Sequence, residues 1–242
     1  MKLSFDATGE VVVITGGAQG IGAALAAAVN AAGGTAVVFD VVKPADPVVE
    51  YVEVDVTDRS SVAAAVAGVV ERHERIDGLV AGAAVQPRSP VLELDAVEWS
   101  RTLQVNLDGV VWACQAVVPH MVARRSGSVV VFTSGMASTG YPEASAYAAS
   151  KAALVAFAKS LAAEVAGHRV RVNVVAPGVI DTEQFRAANT GPDREHWRDT
   201  IGIGDPEDVV GPLLFLLSDA AAMTGSVLTR ERAFAKLATF TE

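Results

Sequence analysis

Apolar residues follow two rhythms along the chain. Short β-branched runs are apolar at nearly every position: VVVIT (11–15), TAVVF (35–39), GLVA (78–81), SVVVFT (128–133) and VRVNVVA (170–176). A strand without a polar face must be covered on both sides, as the strands of a parallel sheet are. Between these runs lie alanine-rich stretches at 21–33, 60–73, around 96–124 and around 144–166, which predict helices. Gly33-Gly34 is placed to stop the first helix, and Asp58 and Ser60 to cap the second. Strands alternating with helices predict an α/β fold, a doubly wound parallel sheet with helices on both faces. No linker or repeat breaks the pattern, so residues 1–242 form one expected domain. Two segments stand outside it. The polar, Gly/Pro-punctuated stretch 181–205 follows a strand and predicts a substrate loop, and 230–242 is a charged amphipathic tail.

The junction of the first strand and first helix reads TGGAQGIG, Thr15 to Gly22. In this context Gly16 allows a tight turn, Gly20 lets backbone approach a phosphate, and Gly22 permits close helix–strand packing. The helix N-terminus then offers free N–H groups and partial positive charge to a pyrophosphate. The expected sheet is therefore of Rossmann type, with Gly16, Gln19, Gly20 and Ile21 assigned to a dinucleotide; a tight turn without a ligand is the plainer reading. Asp40 ends the second strand about 20 residues on, where an acid accepts from ribose hydroxyls. It would repel a 2′-phosphate. Neither Gln19 nor Val41 supplies a cation to offset that, so the expected cofactor is NAD(H) rather than NADP(H). A solvated strand-end acid is the alternative for Asp40. Asp55 and Val56 are read as closing the third strand, within reach of the adenine.

Bulk properties narrow the rest. With 242 residues, 51% hydrophobic and 19% charged, a sizeable core is expected. The net charge of −9 argues against nucleic-acid partners and anionic membrane surfaces. Cys114 is the single cysteine, so no intramolecular disulfide can form. The stretch MKLSFDATGE has no signal-peptide core, and the apolar runs are interrupted before membrane-spanning length. A cytoplasmic location follows as the expectation. The histidines at 73, 120, 168 and 196 lack metal-ligand spacing, so no metal is expected.

The stretch SAYAASK places Tyr147 and Lys151 four residues apart, on one face of a predicted helix. They are either an aromatic and a charge on an ordinary amphipathic helix or a proton donor tuned by a cation. A phenol with reference pKa of about 10 exchanges protons poorly at neutral pH. An ammonium roughly 4 Å away favours the phenolate by about 4 kcal/mol at an effective dielectric of about 20, opposed by desolvation. The expectation is that Lys151 makes Tyr147 a useful acid/base. Ser134 ends the strand SVVVFTS, at the ligand edge of the sheet, where it can hold a substrate oxygen or simply form a turn. Asn106 interrupts the 96–124 helix with an amide that needs a buried water or a backbone partner.

Taken together, TGGAQGIG, Asn106, Ser134, Tyr147, Lys151 and PGVIDT (177–182) resemble the short-chain dehydrogenases/reductases from about residue 8 to 229. The resemblance implies a catalytic set of Asn106, Ser134, Tyr147 and Lys151, in which Asn106 holds the water that links Lys151 to solvent. It implies that Lys151 also bonds the nicotinamide ribose, and that Pro177, Val179 and Thr182 meet the nicotinamide. Ala81 and Gly82 stand where the family borders the cofactor with two asparagines. The stretch Ala81-Gly82-Ala83-Ala84 departs from the family's Asn-Asn-Ala-Gly and puts rigidity and cofactor affinity there in question. Arg230-Glu231-Arg232 replaces Val-Asp-Gly-Gly beside a common subunit interface. The implied function is NAD(H)-dependent interconversion of a secondary alcohol and a ketone, by a homotetramer or dimer acting on a small molecule. The alternative is an NAD(H)-binding sensor or structural subunit without turnover. The arginines of 181–205 stand among acids, so no anion pocket is read there.

Overall fold

The computed structural model describes residues 4–231; most of the 230–242 tail lies outside them. Seven parallel strands form one sheet: β1 Val11–Thr15, β2 Thr35–Asp40, β3 Glu50–Glu53, β4 Gly78–Ala81, β5 Gly127–Phe132, β6 Val170–Ala176 and β7 Val227–Thr229. Their order is β3-β2-β1-β4-β5-β6-β7. The chain reverses direction across the sheet between β1 and β4, and a crevice opens there at the carboxyl ends.

The continuous apolar runs are explained by two cores, because successive side chains alternate between faces. Val11, Val13, Val37, Phe39 and Leu79 point into one core. Val12, Ile14, Val38 and Val80 point into the other. The first core is closed by α2 (Arg59–His73), α4 (Gly109–Arg124) and α6 (Ser145–Val165). The second is closed by α1 (Gly20–Ala31) and, beyond the substrate segment, by the helix Glu207–Leu217. Asp58 caps α2, accepting from the backbone of Ser60 and Ser61, while Ser60 itself lies inside the first turn. Gly33, at φ +85°, ends the turn after α1. Among the described residues no helix is long and apolar enough to cross a membrane.

Three features differ from the sequence reading. The 96–124 stretch is not one regular helix. It runs as α3 (Ala96–Leu103), a π-helical turn at Gln104–Asp108, then α4. Residues 181–205 are not an open loop but carry α7 (Glu183–Ala188) and α8 (Gly191–Thr200). Both are capped, by Thr182 accepting from Phe185 and by a Thr190–Asp193 capping box. Asp55 and Val56 do not close β3, which ends at Glu53; they sit in the turn beyond it. The short α5 (Met136–Thr139) before α6 adds to the rim of the crevice, and the helix Glu207–Leu217 that closes the second core is α9.

Candidate active site

A cleft of about 890 Å³ lies over the carboxyl ends of the strands. The glycine loop forms one wall. Gly16, at φ +70°, takes a conformation that favours glycine, and an added Cβ would stand 2.6 Å from the backbone of Ala83. Gly20, at φ +53°, lies against the Thr182 side chain, where a Cβ would stand 2.8 Å from Cγ2. The start of α1 has no side-chain cap and no acid in its first turn, so its N–H groups remain available. Asp40 holds the loop from β2: its carboxylate accepts from Ala18 N at 3.0 Å and Val42 N at 3.0 Å. This wall fits a dinucleotide: glycines where side chains would collide, an open helix N-terminus and an acid at the second strand. Gly16, Gln19, Gly20, Ile21, Asp40, Val41, Asp55 and Val56 all line the cleft. So do Gly82, Pro177, Val179 and Thr182. Ala81 does not; its side chain is buried in the core beneath. The cause is strand alternation, which turns Ala81 to the same face as Leu79.

At the other end stand Ser134, Tyr147 and Lys151. Ser134 follows β5, and its hydroxyl lies beside the Tyr147 phenol. Lys151, one turn along α6 and buried, has Nζ 5.7 Å from the Tyr147 ring centroid and donates to Phe132 O at 3.0 Å. The electrostatics differ from the sequence expectation. Burial pushes the Tyr147 phenol above its ordinary value, against the Ser134 hydroxyl and the charge of Arg88, both of which pull it down. Burial also lowers Lys151 to about 8. Lys151 therefore does not bring Tyr147 down in the chain alone: burial dominates the phenol, and the Lys151 ammonium is turned to a carbonyl instead.

Asn106 does not reach the cleft. Fully buried in the π-helical turn, it accepts from Val85 N at 2.8 Å and donates to Val85 O at 2.9 Å and Ser150 Oγ at 3.1 Å. Ser150 in turn donates to the Tyr147 carbonyl at 2.7 Å. One amide thus ties the segment after β4 to the helix carrying Tyr147 and Lys151. Thr15 braces the same segment, its hydroxyl accepting from Gly82 N at 3.1 Å and Ala83 N at 3.3 Å. These bonds hold the stretch that lacks its two asparagines. The second departure is also structured: Arg230 extends the β6 pairing through Ala176 O and reaches Pro177 O and Asp208.

Sequence reasoning missed Thr15, Ser150 and Arg88. Thr15 and Ser150 were signalled, one as the start of the glycine loop and one inside SAYAASK. Arg88 had no local signal, because its partners lie 54 and 101 residues away.

With this geometry in hand, the sequence profile described as short chain dehydrogenase matches residues 10–193. The chain belongs to the short-chain dehydrogenase family. Members of this family are oxidoreductases that bind a nicotinamide cofactor. The chain is similar to the 3-oxoacyl-acyl-carrier-protein reductase of Thermotoga maritima, 35% identical over 91% of this chain and 95% of the relative. It is also similar to the cis-4-hydroxycyclohexanecarboxylate dehydrogenase of Sinomonas cyclohexanicum, 35% identical over 90% and 93%. The crystal structure of a short-chain type dehydrogenase/reductase from Mycobacterium marinum superposes with a TM-score of 0.87 at 30% identity, covering 94% of this chain and 96% of that one.

Proposed function

We propose that the protein is an NAD(H)-dependent dehydrogenase/reductase that interconverts a secondary alcohol and a ketone. The observation that carries this reading is the Ser134 hydroxyl beside the Tyr147 phenol, with the Lys151 ammonium on the same ring, at the sheet edge beside the glycine loop. Bound along that edge, the nicotinamide supplies the hydride exchange with the carbinol carbon. Tyr147 exchanges the proton of the substrate oxygen at its phenol. Ser134 holds the same oxygen and stabilises the charge that builds there. Lys151 keeps a cation beside the ring and has further N–H groups for the cofactor ribose. Asn106 is a positioning residue, acting through Val85 and Ser150. Asp40 favours NAD(H), since its carboxylate would repel a 2′-phosphate and neither Gln19 nor Val41 offsets it. The names of the two relatives, a 3-oxoacyl reductase and a hydroxy acid dehydrogenase, both describe the alcohol–ketone pair. The assembly proposed is a homotetramer or dimer.

The test is reduced-nicotinamide formation over a panel of secondary alcohols with NAD⁺ and NADP⁺. Turnover with NAD⁺ is expected, reduced by about 10³-fold or more in Tyr147→Phe, since general acid–base catalysis contributes about 10²–10⁴-fold. Preference for NADP⁺ would overturn the role of Asp40, and equal turnover by Tyr147→Phe would overturn the mechanism.

A further inference from the structure

Arg88 lies in the segment between β4 and α3 and lines the cleft together with Ser134 and Tyr147. Its guanidinium has only neutral partners. One Nη donates to Pro142 O at 3.2 Å and the other to Asn189 Oδ1 at 3.0 Å. Its face lies 4.7 Å from the Tyr141 ring centroid. Its Nε is buried and has no hydrogen-bond partner. The surroundings are themselves fixed. Tyr141 packs on Trp197 at 5.1 Å, Trp197 donates to Asn189 Oδ1 at 3.2 Å, and buried Asn189 donates to Phe185 O at 2.8 Å.

Other arginines of the fold are compensated differently. Arg72 pairs with Glu50, Arg75 and Arg124 with Asp77, Arg186 with Asp181 and Glu183, and Arg230 with Asp208. Arg101, on the same cleft wall, is exposed. No carboxylate lies within ion-pair distance of Arg88 among the described residues. The acid that feels its charge, Asp193, is held in its own capping box with Thr190. A guanidinium has five N–H donors in a planar fork that matches a carboxylate, and this one spends two of them on neutral oxygens. A partly buried charge with an unmet donor is costly until an anion arrives.

We propose that Arg88 binds a carboxylate carried by the substrate, so that the enzyme acts on secondary hydroxy acids and the matching oxo acids. The carboxylate sits at Arg88, between the Tyr141–Trp197 pair and the β4 segment, while the alcohol or ketone carbon meets Ser134 and Tyr147. This rests on the dehydrogenase reading above, and it adds the substrate class. The competing role for Arg88 is a strut that joins Pro142 to Asn189. Arg88→Gln separates the two, because glutamine keeps N–H donors and discards the charge.

The experiment measures binding rather than turnover, so it stands apart from the test of the dehydrogenase reading. Cyclohexanecarboxylate, benzoate and butyrate, each paired with its uncharged carboxamide, are titrated into the protein in the presence of NADH. Binding is followed by calorimetry and tryptophan fluorescence. The wild type is expected to bind at least one carboxylate about tenfold or more tighter than its carboxamide, about 1.4 kcal/mol. Arg88→Gln is expected to erase that preference while unfolding at the temperature of the wild type. Equal binding of acid and amide by the wild type, no binding of any acid, or an acid preference that survives in Arg88→Gln would each overturn the proposal. Loss of the preference together with a lowered unfolding temperature would assign Arg88 to the strut and overturn it as well.

Discussion

At the scale of single residues, the site is a balance between burial and charge. Lys151 is a lone ammonium in a nearly dry place, and burial has moved it from 10.5 to about 8. The unfolded chain therefore holds a proton between about pH 8 and 10.5 that the folded chain has released. Stability contributed by this group rises with pH through that window, because the unfolded state binds more protons there. Below pH 8 the folded protein carries the full cost of the buried charge. At 1.36 kcal/mol per unit, the gain by pH 9.5 is about 2 kcal/mol. Cys114, which burial raises to about 12, lowers stability over the same window in both proteins, so urea unfolding of the wild type and Lys151→Met at pH 7 and 9.5 is expected to show the wild type gaining about 2 kcal/mol on the variant. The measurement stops at pH 9.5, below the ordinary tyrosine value of about 10; burial holds Tyr147 above that value in the folded chain, so its opposing contribution grows mainly at higher pH. Parallel pH curves for the two proteins would mean that Lys151 stays charged through pH 9.5. The same cost explains why a charge placed here needs a function: burial alone would favour an apolar side chain.

At the scale of elements, Asn106 joins two parts of the fold that the sequence leaves unconnected. It bonds Val85 twice and Ser150 once, from a side chain that is itself without access to water. Asn106→Ala removes three hydrogen bonds and strands their partners, at a cost of about 3 kcal/mol. The segment 82–85 lines the cleft, so weaker NADH binding is expected along with the lower stability. Chemical denaturation and NADH titration of the variant check both; an unchanged midpoint would show that the Val85 segment is held by Thr15 alone. What was legible in the sequence follows the same division. The five inner strands β1, β2, β4, β5 and β6 read correctly because burial on both faces writes a continuous apolar run. The strand–turn–helix form of the glycine loop was legible because the three are contiguous. The π-helical turn did not, because its cause is a bond from Asn106 to a residue 21 positions away. The helices of 181–205 were hidden by low hydropathy, yet their caps were present in the text of the chain: Thr182, and Thr190 with Pro192 and Asp193. Arg88 was unreadable for a further reason. Its meaning lies in the acid it lacks, and only the assembled cleft exposes that.

At the scale of the whole molecule, the two edges of the sheet are unlike. β3 is a short, half-buried edge with charged ends. β7 is exposed at all three positions, with Val227 at 40% and Leu228 at 37%, and it pairs only with β6 among the described residues. An apolar parallel edge left in water is a template for association, and a monomer would normally blunt it with charge or a bulge. The net charge of −9 opposes contact between copies at long range, but salt screens it within about 10 Å, while apolar burial acts at contact. A second copy covering β7 resolves the edge and agrees with the proposed homo-oligomer. Leu228→Glu places a charge in that contact and leaves both cores untouched, since Leu228 belongs to neither. Light scattering on a sizing column is expected to give an oligomer for the wild type and a smaller species for Leu228→Glu at the same micromolar concentration. A circular-dichroism melt of the variant at matched concentration guards against unfolding as the cause. A wild type that elutes as a 25 kDa monomer would refute the assembly, and an oligomer unchanged by Leu228→Glu would move the interface to another face.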